Sequence, residues 1–227
     1  MTDDHDALLA RHLSAWLGAW PPPDGTLQVV ASPRRVQPGW DGRVRPLIGV
    51  LTTSGGVLSV PPDRLEGARR ALGAVTLEDL PGAYPAVAAA VGGPAGRLVE
   101  GVFRWTAQPA ALPDAGEWRP VGDPVVPPWL HPFGGDVLVT LRHGRYVAGV
   151  GLKRHDPTGQ EVAVVTEPEA RGQGLARRLV AQAARRVAAG GAVVTYLHAP
   201  DNHASARVAE ASGFPDLGWR VVSLAPA

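Results

Sequence analysis

Apolar positions along the chain fall into two periods, and the change from one to the other outlines the fold. Leu8, Leu9, His12, Leu13, Trp16, Leu17 and Trp20 recur at helical spacing, which predicts an amphipathic helix over 6–20, ended by Pro21-Pro22-Pro23. Residues 26–31 and 46–60 read as strands, the second broken into a hairpin at Ser54-Gly55-Gly56. Helices are predicted over 63–72 and 77–91, the latter carrying Pro81 and Pro85, and a strand over 97–106. Residues 107–132 are proline-rich and without period: a connector, with an edge strand near Trp118. A hairpin around His143-Gly144 joins strands at 137–141 and 145–153. The run 162–166, short and mostly β-branched between Glu161 and Pro168, reads as a buried strand. Leu175, Leu179, Val180, Ala183, Ala184 and Val187 then take up helical spacing until Gly190-Gly191, with Arg177, Arg178, Arg185 and Arg186 off that face. A strand over 192–198 closes a strand–helix–strand unit, which must be parallel and right-handed. The pattern predicts an α/β chain with a mixed sheet.

Between the strand at 162–166 and its helix lies Arg171-Gly172-Gln173-Gly174-Leu175-Ala176. A helix start leaves backbone N–H groups unpaired and carries partial positive charge, so it can hold an anion. Glycines there let the main chain approach a bulky phosphate without a Cβ in the way. Three kinds of glycine-rich turn compete for this reading. A P-loop requires a Lys after its second Gly, and the only lysine in the chain is Lys153. A dinucleotide turn requires a third Gly, where Arg177 stands and would obstruct helix–strand packing, and too little chain follows for the rest of such a domain. The pattern left is Arg-x-x-Gly-x-Ala.

That pattern resembles the pyrophosphate loop of the GNAT acetyltransferases, which bind acetyl-CoA. A second resemblance follows downstream in Asn202-His203-Ala204-Ser205-Ala206-Arg207-Val208-Ala209-Glu210-Ala211-Ser212-Gly213-Phe214: an Asn after the strand, a short helix, then Gly-Phe before a final strand over 219–224. The likeness covers 126–227, which implies a GNAT fold in the C-terminal half. Residues 1–125 form an additional N-terminal α+β region, longer than the strand and two helices with which that fold normally begins. Either one enlarged domain, or a small N-terminal half that is a degenerate copy of the same fold with the join near 107–132, would account for it.

What the resemblance implies about chemistry can be placed residue by residue. Acetyl-CoA would lie between the strands at 162–166 and 193–198, pairing through the main chain of Val164 and Thr166. The N–H groups of Arg171, Gly172, Gln173, Gly174, Leu175 and Ala176 would cradle the pyrophosphate. Arg177 or Arg178 would reach the ribose phosphate, Arg185 and Arg186 forming a solvated basic face. Asn202 falls where the family places a cofactor-contacting amide; otherwise it is a turn residue after Pro200. An N–H near Val164 or Val165 would meet the oxyanion. Many members carry a Tyr four residues before the Gly-Phe pair to protonate the departing thiolate; here Ala209 stands there, with Ser205 and Ser212 on the same helix face.

Acyl transfer to an alkyl amine, whose pKa is near 10, requires removal of a proton. Glu161, at the start of the central strand, is the first candidate base and His198, at the end of the neighbouring strand, the second; His155 and Asp156 lie in the preceding loop. A strand-end Glu is otherwise simply solvated. The remaining histidines show no metal-ligand spacing, so no metal is expected.

Composition adds limits. A net charge of +1 gives no electrostatic case for nucleic acid or a membrane surface. The absence of cysteine removes disulfides and thiolate chemistry and suits a cytoplasmic protein. No apolar run approaches the roughly 20 residues of a membrane helix, and the acidic N-terminus lacks the basic start of a secretory signal. The expectation is an N-acetyltransferase moving acetyl from acetyl-CoA to a primary amine of a small molecule or peptide. An acyl-CoA-binding sensor or scaffold without catalysis, and a dinucleotide-binding oxidoreductase, stand as alternatives.

Overall fold

The computed structural model describes residues 2–23, 25–92 and 97–225. The chain divides into two compact units, one of Met1–Phe103 with Leu217–Ala227, the other of Arg104–Asp216.

In the first unit, helix α1 (Thr2–Leu17) stops short of the triple proline because Gly18 takes a left-handed φ of 108°. Its orphan C-terminal carbonyls are met from elsewhere: Arg35 donates to Trp16 O at 2.9 Å and Ser59 Oγ to Leu17 O at 2.5 Å. Strands β1 (Leu27–Ala31), β2 (Ile48–Leu51) and β3 (Gly56–Val60) include the expected hairpin, β2 antiparallel to β3 and β1 parallel to β3. Helices α2 (Leu65–Leu72) and α3 (Leu80–Gly92) precede β4 (Leu98–Thr106), and Pro85 is accommodated inside α3. Leu47, Leu58, Leu80, Ala88 and Val222 make a core with no exposed surface.

The second unit runs β5 (Glu117–Pro120), β6 (Asp136–Arg142), β7 (Arg145–Asp156), β8 (Gly159–Thr166), α4 (Leu175–Ala189), β9 (Val193–His198) and α5 (His203–Ala211). Its strands lie in the order β9-β8-β7-β6-β5, antiparallel except for the parallel β8–β9 pair. His143 and Gly144 both take positive φ at the β6–β7 turn, the geometry of a tight hairpin loop. One face of this sheet packs on α4 and α5 through Leu138, Val150, Leu179, Val180, Tyr196 and Phe214. On the other, the Phe133 ring lies flat on Gly151, where a Cβ would come within 2.4 Å of it. The final strand β10 (Arg220–Leu224) belongs to the first unit, antiparallel to both β2 and β4. The proline-rich stretch 107–132 lies within the second unit.

That stretch is more ordered than its composition suggests. Gln182 on α4 accepts from the N–H groups of Ala115 and Gly116 at 3.0 and 3.1 Å and donates to Gly116 O at 2.9 Å. Arg178 donates to Pro113 O and Asp114 O, and Arg185 to Ala110 O at 2.7 Å and to the Asp114 carboxylate. Residues 110–116 thus form a strap across the outer side of α4. Arg185 and Arg186 were expected on a solvated face. Arg185 instead holds the strap, whereas Arg186 is exposed, lying 4.0 Å over the Trp118 ring and pairing with Asp136.

Candidate functional site

The parallel pairing of β8 with β9 runs from Gly159↔Val193 to Val162↔Tyr196. β8 continues to Thr166, still paired with β7, and β9 to His198. The two strands therefore fork after Val162 and Tyr196. Donor directions alternate along a strand, and Glu167 N–H donates to Val147 O on β7 at 2.9 Å. By that alternation the main-chain groups of Val164 and Thr166 point away from β7, into the fork, while those of Val165 point towards β7. The Val165 side chain is 42% exposed beside the opening. The fork's β8 wall, residues 163–166, is about 13 Å long at ~3.3 Å per residue. It leads directly to the glycine turn.

In that turn Gly172 and Gly174 have φ of 75° and 74°, and a Cβ at Gly172 would meet only open space. Gly174 occupies the N-cap position of α4 with no side-chain cap, so the first-turn N–H groups are left for an external acceptor. One member of the expected set is engaged: Arg171 N–H donates to Pro168 O at 3.3 Å, and its side-chain Nε to Thr166 O at 3.2 Å. The open run starts at Gly172. The Gln173 side chain is held by Arg142 and by Glu169 O. Of the two arginines considered for a ribose phosphate, Arg178 is tied to the strap, whereas Arg177 is exposed and lies over Gly174. The turn thus offers unpaired N–H donors to an anion, and the fork offers unpaired strand groups to an extended ligand.

Residues 102–214 match the model of the acetyltransferase (GNAT) family. That segment is a GNAT domain. Solved structures resembling the chain include a GNAT-family protein from Novosphingobium aromaticivorans, 26% identical, covering 56% of this chain and 64% of that one with a TM-score of 0.46. A GCN5-related N-acetyltransferase-like protein from Streptococcus suis is 15% identical over 57% of this chain and 63% of that one, TM-score 0.42. A GNAT-family acetyltransferase from Colwellia psychrerythraea is 12% identical over 74% of this chain and 75% of that one, TM-score 0.48. The chain spans just under two thirds of the first two. No curated protein matches it.

The candidate bases of the GNAT domain occupy settings that the sequence did not disclose. Glu161 is not at a strand end but inside β8, directly opposite Lys153 on β7, and only 3% exposed. Its carboxylate pairs with Lys153 Nζ and, at 3.1 Å, with His155 Nε2. Burial pushes its pKa up, but the Lys153 and His155 charges and hydrogen bonds outweigh this and hold it below the ordinary carboxylate value. His198 is also buried, and both ring nitrogens are used. Arg104 Nε, which can only donate, lies 3.2 Å from Nε2, so Nδ1 carries the hydrogen, 2.9 Å from Ala199 O. Arg104, missed in the sequence, also binds the Glu210 carboxylate and Phe214 O, each at 2.9 Å, and pairs with Asp216 at 3.5 Å. Asp156 accepts from Thr158 in the β7–β8 turn.

Asn202 caps α5, its Oδ1 accepting from Ser205 N–H at 3.0 Å. Ser205 Oγ is 2.8 Å from the hydroxyl of Tyr196, while Ser212 Oγ is turned to the carbonyls of Arg177 and Val208. Ala209 has no exposed surface and packs in the same cluster as Tyr196 and Phe214. Among the described residues no helix is long and apolar enough to cross a membrane, and no group of three or more His, Cys, Asp or Glu could hold a metal ion.

Proposed function

We propose that the protein transfers acetyl from acetyl-CoA to a primary amine of a small molecule or peptide. The observation that carries this reading is the fork between β8 and β9 opening onto the uncapped turn at Gly172–Gly174. Free N–H groups from Gly172 through Ala176 hold the pyrophosphate, and Arg177 lies within reach of a further phosphate. The helix-end charge adds about 0.3–1 kcal/mol, towards 2 where the site is partly buried. Along the fork, Val164 and Thr166 offer main-chain partners to the pantetheine amides. When bound, the thioester supplies an acyl carbon already activated for attack. The Val164 N–H, which points into the fork, meets the oxyanion; that of Val165 is turned towards β7. Because Glu161 and His198 are committed to their partners, the attacking amine arrives neutral or gives its proton to water.

A second reading, an acyl-CoA-binding module without catalysis, draws on the buried Ala209 and on the tied-up candidate bases.

The test is CoA titration beside release of free CoA thiol from acetyl-CoA across a panel of amines, amino acids and peptides. Gly174→Glu is expected to abolish CoA binding by setting a carboxylate against the diphosphate. Gly174→Ala pays the same cost of positive φ without the charge, and is expected to bind CoA at least tenfold more tightly than Gly174→Glu. Normal CoA affinity in Gly174→Glu refutes the assigned loop. CoA binding by the wild type with no turnover on any amine selects the second reading.

A further inference from the structure

Tyr196 sits at the apex of the fork, in the last pair that β9 makes with β8. Its side chain leaves the sheet on the helix-covered face, where the ring packs against Phe214 with centroids 5.7 Å apart. Only 2% of the residue is exposed, yet its hydroxyl has a specific partner: Ser205 Oγ, 2.8 Å away in the first turn of α5. Ser205 is half-buried, so of the two hydroxyls it is the nearer to solvent. Ala209 follows Ser205 by one helical turn on the same face and packs in the same cluster as the Tyr196 ring. A ligand arm running down the fork from the glycine turn ends at this apex.

We propose that Ser205 and Tyr196 form a two-hydroxyl relay that protonates the thiolate released from the acyl donor. This rests on the acetyl-CoA reading of the site and names the proton source within it. In the step, the amine nitrogen bonds to the thioester carbon, and the tetrahedral adduct then collapses with cleavage of its C–S bond. The sulfur takes the electron pair of that bond and a proton from Ser205 Oγ. Ser205 recovers a proton from Tyr196 Oη, and once the thiol has left, water returns a proton to the pair through Ser205, the more exposed of the two. The surplus proton on the new amide nitrogen leaves to solvent, so one amine and one thioester give one amide and one thiol. Burial raises the Tyr196 pKa, partly offset by the Ser205 bond and by Arg104, so the phenol starts protonated.

The relay requires that the pair touch sulfur, and that contact can be read without an acceptor. CoA and desulfo-CoA, which differ at the sulfur, are titrated separately against the wild type, Ser205→Ala, Tyr196→Phe and the double variant. A hydrogen bond to sulfur gives the wild type a preference for CoA of about 2- to 10-fold. Ser205→Ala is expected to abolish the preference, Tyr196→Phe to weaken it, and the double variant to behave as Ser205→Ala alone. Desulfo-CoA affinity stays within about twofold throughout, because Asn202 still caps the backbone N–H of residue 205 and Phe preserves the packing on Phe214. With hydroxylamine as acceptor, kcat falls ~10²-fold in either variant with little change in the KM for acetyl-CoA. Equal binding of CoA and desulfo-CoA by the wild type, or a preference that survives Ser205→Ala, overturns the relay while leaving the cofactor assignment standing. Failure of the wild type to bind either nucleotide overturns both.

Discussion

Replacing Glu161 with Gln separates a structural carboxylate from a catalytic one. The substitution keeps size and shape but removes the charge that compensates Lys153 and faces His155. Breaking a buried pair by removing one partner costs about 3–5 kcal/mol. The Lys153 side chain keeps 25% of its surface in water, which lowers the expected loss to about 2–4 kcal/mol. For a chain of this size that corresponds to a fall of roughly 5–15 °C in melting temperature at pH 7.

The pH dependence has a definite sign. A carboxyl whose folded pKa is depressed contributes stability that is present above its unfolded value and lost as pH falls through the folded one. The gap between wild type and Glu161→Gln is therefore constant near neutrality and closes below about pH 4, where protonation does to the wild type what the substitution does. Thermal melts of both proteins from pH 3 to 8 measure this. Equal melting temperatures at pH 7, or a gap that widens on acidification, would falsify the ion-trio account. An unchanged melt with kcat lowered a hundredfold would instead make Glu161 the base.

Two further outcomes are expected. If no protein group takes the amine proton, kcat/KM for an alkyl amine rises about tenfold per pH unit between 6 and 9, following the neutral amine; a plateau beginning near pH 7 means that a protein group accepts it. Gln182→Leu removes the partners of Ala115 N–H and Gly116 N–H and costs about 2–3 kcal/mol, so limited proteolysis should begin within 107–116 while CoA affinity holds. Cleavage no faster than in the wild type would show that the strap does not depend on Gln182.

The strand–turn–helix–strand run from β8 to β9 was legible because its signals are local: a β-branched run, paired glycines and a 3.6-residue apolar period. Its fork has no local signal, since nothing within either strand says where their pairing stops; only the family resemblance implied it. The setting of Glu161 lay within reach of the sequence. Positions 153 and 161 are equidistant from Pro157, so a hairpin centred there puts the one lysine opposite the one buried carboxylate of β8. Arg104 gave no such signal. Its partner His198 is 94 positions away, and only the folded second unit brings them together.

The outer face of α4 shows how one pattern carries two meanings. Arg178, Gln182 and Arg185 recur at helical spacing on the side away from the core, the usual mark of a solvated stripe. Here they serve as the hydrogen-bonding edge for residues 110–116, a segment without strand partners of its own. Backbone amides and carbonyls packed against a helix must find partners, and prolines at 109 and 113 make a regular ladder poor at supplying them. Guanidinium and carboxamide groups suit the task because each reaches a main-chain group from a flexible stem, and the amide can donate and accept at once. A polar stripe that contains an amide among its arginines, in a chain that also holds a long proline-rich stretch lacking any period, therefore marks a helix covered by chain, not one facing water.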